Sequence, residues 1–301
     1  MKKKRLTFVV YAVSICFLAV VLVVSIVSQR FDVVADRTKA MLGLEPLPPD
    51  TSYHICFSPD NAWFAATIIN FPVTSTLYQT RFEVGRTDGT VRWTIMDESR
   101  SRDIGILNRE CLKWSSDKHW LYFSNRLPLF NDWCSADVSL ADLHKIDLQT
   151  SEVIDLVPPL GRTLWLSTDE TAVVYERPTD RALILRDLAS GQEHTLNVES
   201  GIDDRVLEIL WAPDASAFII TVAKRTCTPD ADHRLKYPWG DASSLIRVDI
   251  RTLDVRTLIR DDARYFVVEE WPTPNTVVLH DQYWKYWEMN TETGQLTPQA
   301  K

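Results

Sequence analysis

A chain of 301 residues, 45% hydrophobic and 25% charged, is long enough for one large all-β domain or two ordinary ones, and this composition argues against disorder. Eleven Trp against nine Gly points to layered sheets spaced by large rings. The charge is unevenly placed. Lys2, Lys3, Lys4 and Arg5 are the only charged residues among the first 29, and setting them aside leaves 29 of the 33 cations against 41 acids, a net of −12. A surface that acidic repels polyanions, so no nucleic-acid partner is expected.

Residues 1–5 form a basic tip. Residues 6–27, LTFVVYAVSICFLAVVLVVSIV, run 22 residues without a charge, enough for one transmembrane helix of about 20 residues. The cations just before it predict a cytoplasmic N-terminus and an exported remainder. The run exceeds a signal-peptide core of about 7–15 residues and ends without an Ala-x-Ala site. Ile15 before Cys16 is too bulky for a lipoprotein cleavage site. The prediction is an uncleaved, single-pass anchor in the cell membrane. Residues 28–52 follow as a juxtamembrane segment: Phe31, Val34, Ala35, Thr38, Met41 and Leu42 recur at helical spacing up to Gly43. Glu45-Pro46-Leu47-Pro48-Pro49-Asp50 then reads as a stiff linker.

From residue 53 to 301 one unit repeats: an aromatic residue, a Ser/Thr/Pro-rich turn ending in Asp, then an apolar run. It occurs as Phe57-Ser58-Pro59-Asp60 before AWFAATII, and as Trp114-Ser115-Ser116-Asp117 before HWLYFS. It returns as Trp165-Leu166-Ser167-Thr168-Asp169 before TAVVYE, with one residue inserted, and as Trp211-Ala212-Pro213-Asp214 before AFIITV. A weaker fifth copy is Trp271-Pro272-Thr273-Pro274-Asn275 before TVVLH. Asp or Asn at the end of such a turn accepts a hydrogen bond from its own backbone two residues on, and Pro presets the turn dihedral, so the chain reverses there. The runs that follow are rich in Val, Ile, Phe and Tyr and too short for helices. A second strand–turn–strand half follows each copy, for example Leu183-Ile184-Leu185-Arg186-Asp187 and then His194-Thr195-Leu196.

Four strands per unit, repeated five times, predict an all-β fold: a β-propeller of about five four-stranded blades preceded by one transmembrane helix. A sixth, degenerate blade is left open, although residues 31–50 are too short to supply it. The aromatic-Ser-Pro-Asp unit with its following strand resembles the TolB-like propeller repeat, a relative of the WD-type repeat, over residues 53–300. The resemblance implies the fold and little chemistry, since its Asp residues shape turns. The sequence departs from the family in blade number, usually six or more, and in lacking Gly after the Asp; Asn61, Lys118, Glu170, Ala215 and Thr276 stand there.

Long excursions are expected between second and third strands. Blades three and five cross tightly, through Arg177-Pro178-Thr179-Asp180 and Asp281-Gln282-Tyr283. Blade two inserts residues 125–142, blade four residues 223–244, and blade one the shorter 70–80. The long inserts carry Phe130, Asp132, Trp133, His233, Tyr237 and Trp239, the candidate binding residues, because aromatic groups on loops of a rigid scaffold build recognition surfaces. Cys56, Cys111, Cys134 and Cys227 form an even set in an oxidising compartment. Their placement favours disulfides that pin the inserts, Cys134 to Cys227 or Cys111 to Cys134. No CxxC spacing, calcium loop, nucleophile elbow or phosphate loop is present, so neither metal nor cofactor is expected. Most of the six His read as structural.

The leading expectation is a membrane-anchored extracytoplasmic scaffold that binds a protein or peptide without catalysis. The alternatives are a glycoside hydrolase using carboxylates at the propeller channel mouth, with Glu110, Asp132, Glu208, Glu269 and Glu270 as candidate acids, and a structural spacer in an envelope complex.

Overall fold

A computed structural model describes residues 51–70, 75–101, 108–126, 141–161, 164–177, 179–198, 204–224 and 243–299. These contain no helix, and thus none long and apolar enough to cross a membrane. The expected anchor at 6–27 lies outside them. Twenty strands form five four-stranded antiparallel sheets, each a simple meander. The first sheet holds β1 (Thr51–Phe57), β2 (Trp63–Asn70), β3 (Leu77–Arg86) and β4 (Arg92–Ser101); the second holds β5 (Asn108–Trp114), β6 (Trp120–Arg126), β7 (Ala141–Asp147) and β8 (Val153–Gly161). The third is the smallest, with β9 (Leu164–Leu166), β10 (Ala172–Glu176), β11 (Leu183–Asp187) and β12 (Glu193–Leu196). The fourth contains β13 (Asp204–Trp211), β14 (Ala217–Lys224), β15 (Ser243–Asp249) and β16 (Val255–Asp262), and the fifth β17 (Phe266–Thr273), β18 (Thr276–Asp281), β19 (Tyr286–Asn290) and β20 (Leu296–Pro298).

The chain divides into two compact units, Met1–Ser101 and Arg102–Lys301. In the first, the described part is one sheet whose core is Phe64, Ala66 and Ile68, flanked by Tyr53 and Ile55. A buried carboxylate, Glu83 on β3, is held by Arg81 at 3.0 Å and by Nε of Arg92 at 3.0 Å. Two cations satisfy its lone pairs, which is the condition under which a charge tolerates burial.

In the second unit the four sheets stack in series. Leu143 and Val157 of the second sheet pack on Val173, Tyr175 and Ile184 of the third. Val174, Leu183 and Leu185 of the third pack on Phe218, Ile220 and Val222 of the fourth. Ala217, Ile219 and Leu245 of the fourth pack on Phe266, Val268 and Leu279 of the fifth. Strand β14 shows why its sequence is apolar without alternation: 218, 220 and 222 face one neighbour and 217 and 219 the other, so both faces are buried.

The repeated turns behave as their residues dictate. Ser58, Ser115 and Ser167 donate their hydroxyls to Asp60, Asp117 and Asp169 at 2.7, 2.5 and 2.7 Å. Each Asp Oδ1 accepts the backbone N–H two residues on, at 3.1 Å from Ala62, 2.9 Å from His119 and 3.2 Å from Thr171. These hydroxyls and N–H groups hold Asp60 on the outside of the turn and pull the carboxyls of Asp117 and Asp169 below the usual carboxylate range. The third copy needs no inserted residue in the turn itself, since the Ser-x-Asp frame is intact and only the aromatic residue sits one place earlier. The fourth has Ala212 for Ser, and Asp214 uses Ser216 instead, at 2.7 Å from its hydroxyl and 3.1 Å from its N–H.

The missing glycines have a structural meaning. Asn61, Lys118, Glu170 and Ala215 all have positive φ, between 56° and 65°, so the backbone adopts the left-handed turn that glycine would favour and side chains tolerate it. Neighbouring turns then use those side chains: Glu170 Oε1 accepts the N–H of Ser116 at 3.1 Å and pairs with Lys113 at 3.1 Å. In the turn between third and fourth strands, Gly294 (φ 72°) is required outright, because a Cβ there would lie 2.2 Å from the carbonyl oxygen of Leu258.

Candidate functional site

The first strands of three sheets are interrupted at matching places. Register shifts fall between Cys111 and Lys113 on β5, Val206 and Glu208 on β13, and Val268 and Glu270 on β17. Each is a bulge with one unpaired residue, which bends the strand and re-aims the side chains around it. On β17 the extra residue is Glu269, and on β13 Glu208 follows the extra Leu207. Strand β17 touches both β13 and β14, and the Glu208 and Glu269 charges act on each other.

Glu269 Oε1 lies 3.0 Å from Nε2 of His280 on β18. The other ring nitrogen, Nδ1, lies 2.9 Å from the backbone carbonyl of Asp281. A carbonyl only accepts, so Nδ1 carries a hydrogen. His280 is only 7% exposed, which fixes the ring between its two partners.

Above His280 lies the turn between β18 and β19. Trp284 stacks on the imidazole with centroids 4.4 Å apart and planes 13° from parallel. It has φ 60°, a conformation costing a bulky residue about 1–2 kcal/mol. Asp281, 2% exposed, organises the turn. Its Oδ1 accepts the N–H groups of Tyr283 at 2.9 Å and Lys285 at 3.0 Å, and its Oδ2 accepts Nε1 of Trp287 at 3.3 Å. Gln282 ties the turn back to the residue before β17 by accepting the N–H of Tyr265 at 2.8 Å. Tyr283 and Trp284 are 70% and 69% exposed, the two most exposed large hydrophobic residues described. One face of Trp284 rests on His280 and the other is open to solvent.

Glu208 has neither a hydrogen-bond nor an ion-pair partner among the described residues. Burial first, and then the charge of Glu269, push its carboxyl above the usual range, with His280 opposing. Burial and then Glu208 push the Tyr265 hydroxyl up to about 12. Across β13 and β14, Glu208 is opposite Thr221, and cross-strand partners share a face. Thr221 is 2% exposed and its hydroxyl has no hydrogen-bond partner.

A second polar cluster sits where β6 and β7 leave their sheet for the insert. Asn125 donates its backbone N–H and its Nδ2 to the two carboxylate oxygens of Asp142, each at 2.7 Å. His144 stands between Asp142 at 2.9 Å and Asp155 at 2.7 Å, stacked on Phe123. Burial opposes the charged imidazole, yet the bonds and charges of Asp142 and Asp155 carry its pKa above the ordinary histidine value. This arrangement clamps the base of the insert.

The sequence-predicted binding residues Phe130, Asp132, Trp133, His233, Tyr237 and Trp239 lie outside the described residues, as do Cys134 and Cys227. Cys56 and Cys111 are joined in a disulfide. That corrects the expected Cys111–Cys134 bridge: the sequence reading paired cysteines with inserts, whereas Cys56 and Cys111 are both on the first strands of sheets. Among the candidate acids, Glu208 and Glu269 come together. Glu110 lies on β5 and Glu270 on β17, and Asp132 is outside the described residues. No group of three or more His, Cys, Asp or Glu suited to a metal occurs among the described residues. His280, Tyr283 and Trp284 were missed; their one signal is two adjacent aromatic residues in a turn short enough to leave them no core to enter.

No family model and no curated protein matches the chain. Solved structures do. A protein assigned as a dipeptidyl aminopeptidase IV from Bacteroides ovatus superposes with a TM-score of 0.54 at 13% identity, over 83% of this chain and 42% of its own. Dipeptidyl peptidase 4 of Porphyromonas gingivalis gives 0.50 at 12% identity, over 82% and 39%. TolB from Acinetobacter baumannii gives 0.40 at 14% identity, over 82% and 55%. The chain thus spans about half or less of the length of these structures, and identities this low speak for the fold alone. Five meander sheets, four of them stacked in series, and these likenesses define an all-β protein of β-propeller type.

Proposed function

We propose that this protein is a membrane-anchored, extracytoplasmic β-propeller of the TolB-like kind that binds a protein or peptide. The observation that carries the reading is the Asp281–Lys285 turn, which holds two aromatic side chains out in solvent above a carboxylate–imidazole pair. Exposed aromatic residues on a rigid hairpin, with polar groups converging beside them, are the chemistry of a recognition surface. Export is supported by the uncharged run at 6–27 with its preceding cations and by the Cys56–Cys111 disulfide, since structural disulfides persist in oxidising compartments.

Photocrosslinking tests the reading in native membranes. A benzophenone side chain placed at Tyr283 should give a discrete adduct, and one at Thr179 in the equivalent turn of the third sheet should not. Equal labelling from both positions, or none from 283, overturns it. A reporter fused after Lys301 should be active only when of a type that works outside the cytoplasm.

The Glu208–Glu269 pair supports a second reading as an acid–base pair for glycoside hydrolysis, because burial biases Glu208 toward the protonated form while Glu269 engages His280. Hydrolysis of aryl glycosides abolished by Glu208→Gln would establish it.

A further inference from the structure

Resting on the peptide-binding reading, we propose that the acidic side of the Trp284 hairpin is a pocket for an arginine side chain of an extended peptide. Three groups there can accept hydrogen bonds from a ligand. Glu208 is half-buried without a partner among the described residues, the Thr221 hydroxyl beside it is buried and unpartnered, and Glu269 is partly exposed with its Oε1 on His280. A buried polar atom left unpaired is costly, and the Thr221 hydroxyl in that state beside Glu208, with Glu269 close by, points to a ligand that completes the group. A guanidinium fits this deficit. It offers five N–H donors and no acceptor, stays charged, and meets carboxylates in fork geometry.

The aromatic residues select the same ligand. An arginine side chain lays its methylene stem on apolar surface and keeps its head on polar groups, and its planar head also stacks on indole. Trp284 supplies exposed indole surface beside His280, and Tyr283 extends it. Charge favours the same partner, since the chain beyond its basic tip is strongly acidic and draws cationic peptides. A lysine side chain would satisfy fewer of the three groups, because its three donors diverge from one atom.

The test uses the full chain in detergent micelles and fluorescein-labelled acetyl-Gly-Arg-Gly-amide, with the citrulline peptide as a neutral isostere, read by anisotropy. The arginine peptide should bind, and the citrulline peptide should bind at least about tenfold more weakly. Glu208→Gln and Trp284→Gly should each weaken the arginine peptide by about tenfold, Trp284→Phe should retain most of the affinity, and Thr221→Val should cost a few-fold. Thermal midpoints no lower than that of the unsubstituted protein would exclude misfolding as the cause. Equal binding of both peptides, with loss in Trp284→Gly, overturns the arginine assignment and leaves the aromatic recognition surface standing. Absence of binding by either peptide overturns the arginine assignment also, and the crosslink from position 283 then decides whether the peptide-binding reading survives it.

Discussion

Two hairpins occupy the same place in the third and fifth meanders, between the second and third strands, and they solve the same turn differently. In the third sheet, Arg177 closes on Asp180 through two parallel bonds, Nε to Oδ1 at 2.9 Å and Nη2 to Oδ2 at 2.7 Å, and Ala182 N–H caps the same carboxylate at 3.2 Å. Arg181 takes the left-handed conformation at φ 62°. The Asp180 charge is thus neutralised within the turn. In the fifth sheet, Trp284 takes the corresponding conformation at φ 60°, but the carboxylate is the buried Asp281, which bonds only backbone and an indole. Among the described residues no side-chain ion pair closes this turn, although the charge of Lys285 acts on Asp281. Tyr283 and Trp284 are left to face outward, Trp284 over His280. One hairpin terminates a sheet; the other spends similar backbone strain on displaying an aromatic surface, and this is the mark of a site.

The comparison predicts unequal losses when each turn loses its carboxylate. Asp281→Ala should destabilise the protein by about 1–3 kcal/mol, since it removes a buried carboxylate that accepts two part-buried N–H groups and an indole N–H, whereas Asp180→Ala should leave the thermal midpoint nearly unchanged because its partners are exposed and reach water. Similar losses from both, by chemical denaturation, would erase the distinction.

A smaller effect is expected beneath the fifth-sheet turn. The Glu208 pKa is raised in the folded state, so the folded protein holds that proton to higher pH than the unfolded chain does. Stability therefore falls as pH rises from the ordinary Glu value through the raised one. Glu208→Gln should remove that fall and raise stability at neutral pH, measured as unfolding midpoint against pH. An unchanged profile would mean that Glu208 is as solvated as a surface acid. In the third-sheet turn, Arg181→Gly should raise stability by about 1 kcal/mol by relieving the left-handed conformation; a loss would show that the Arg181 side chain outweighs its backbone strain.

Much of the fold was legible in the residues. The Ser-x-Asp turns fix where strands reverse, and because the hydrogen bonds that enforce them are local, two residues apart, they can be read from sequence. The tight crossings at Arg177-Pro178-Thr179-Asp180 and Asp281-Gln282-Tyr283 and the longer excursions between them were legible for the same reason. The site was not. Glu208 and Glu269 could be named only as two acids among several, because what brings them together is a pair of bulges, and a bulge breaks the period-two pattern from which strand faces are read. His280 gave no signal, since its role depends on a carbonyl one residue away and a carboxylate on another strand. The disulfide followed the same rule: four cysteines allow three connectivities, and the loops drew attention away from the strand positions that are joined.

The central claim is that Trp284 is displayed and does not hold the fold together. Its most direct test is the unfolding free energy of Trp284→Gly in the full chain. Relief of the strained φ, about 1 kcal/mol, should offset the lost stack on His280, worth about 0.5–1.5 kcal/mol, so the predicted change is within about 1 kcal/mol of zero. A loss of about 3 kcal/mol or more, the cost of deleting a packed core aromatic, would contradict the claim and return the hairpin to the architecture of the sheet.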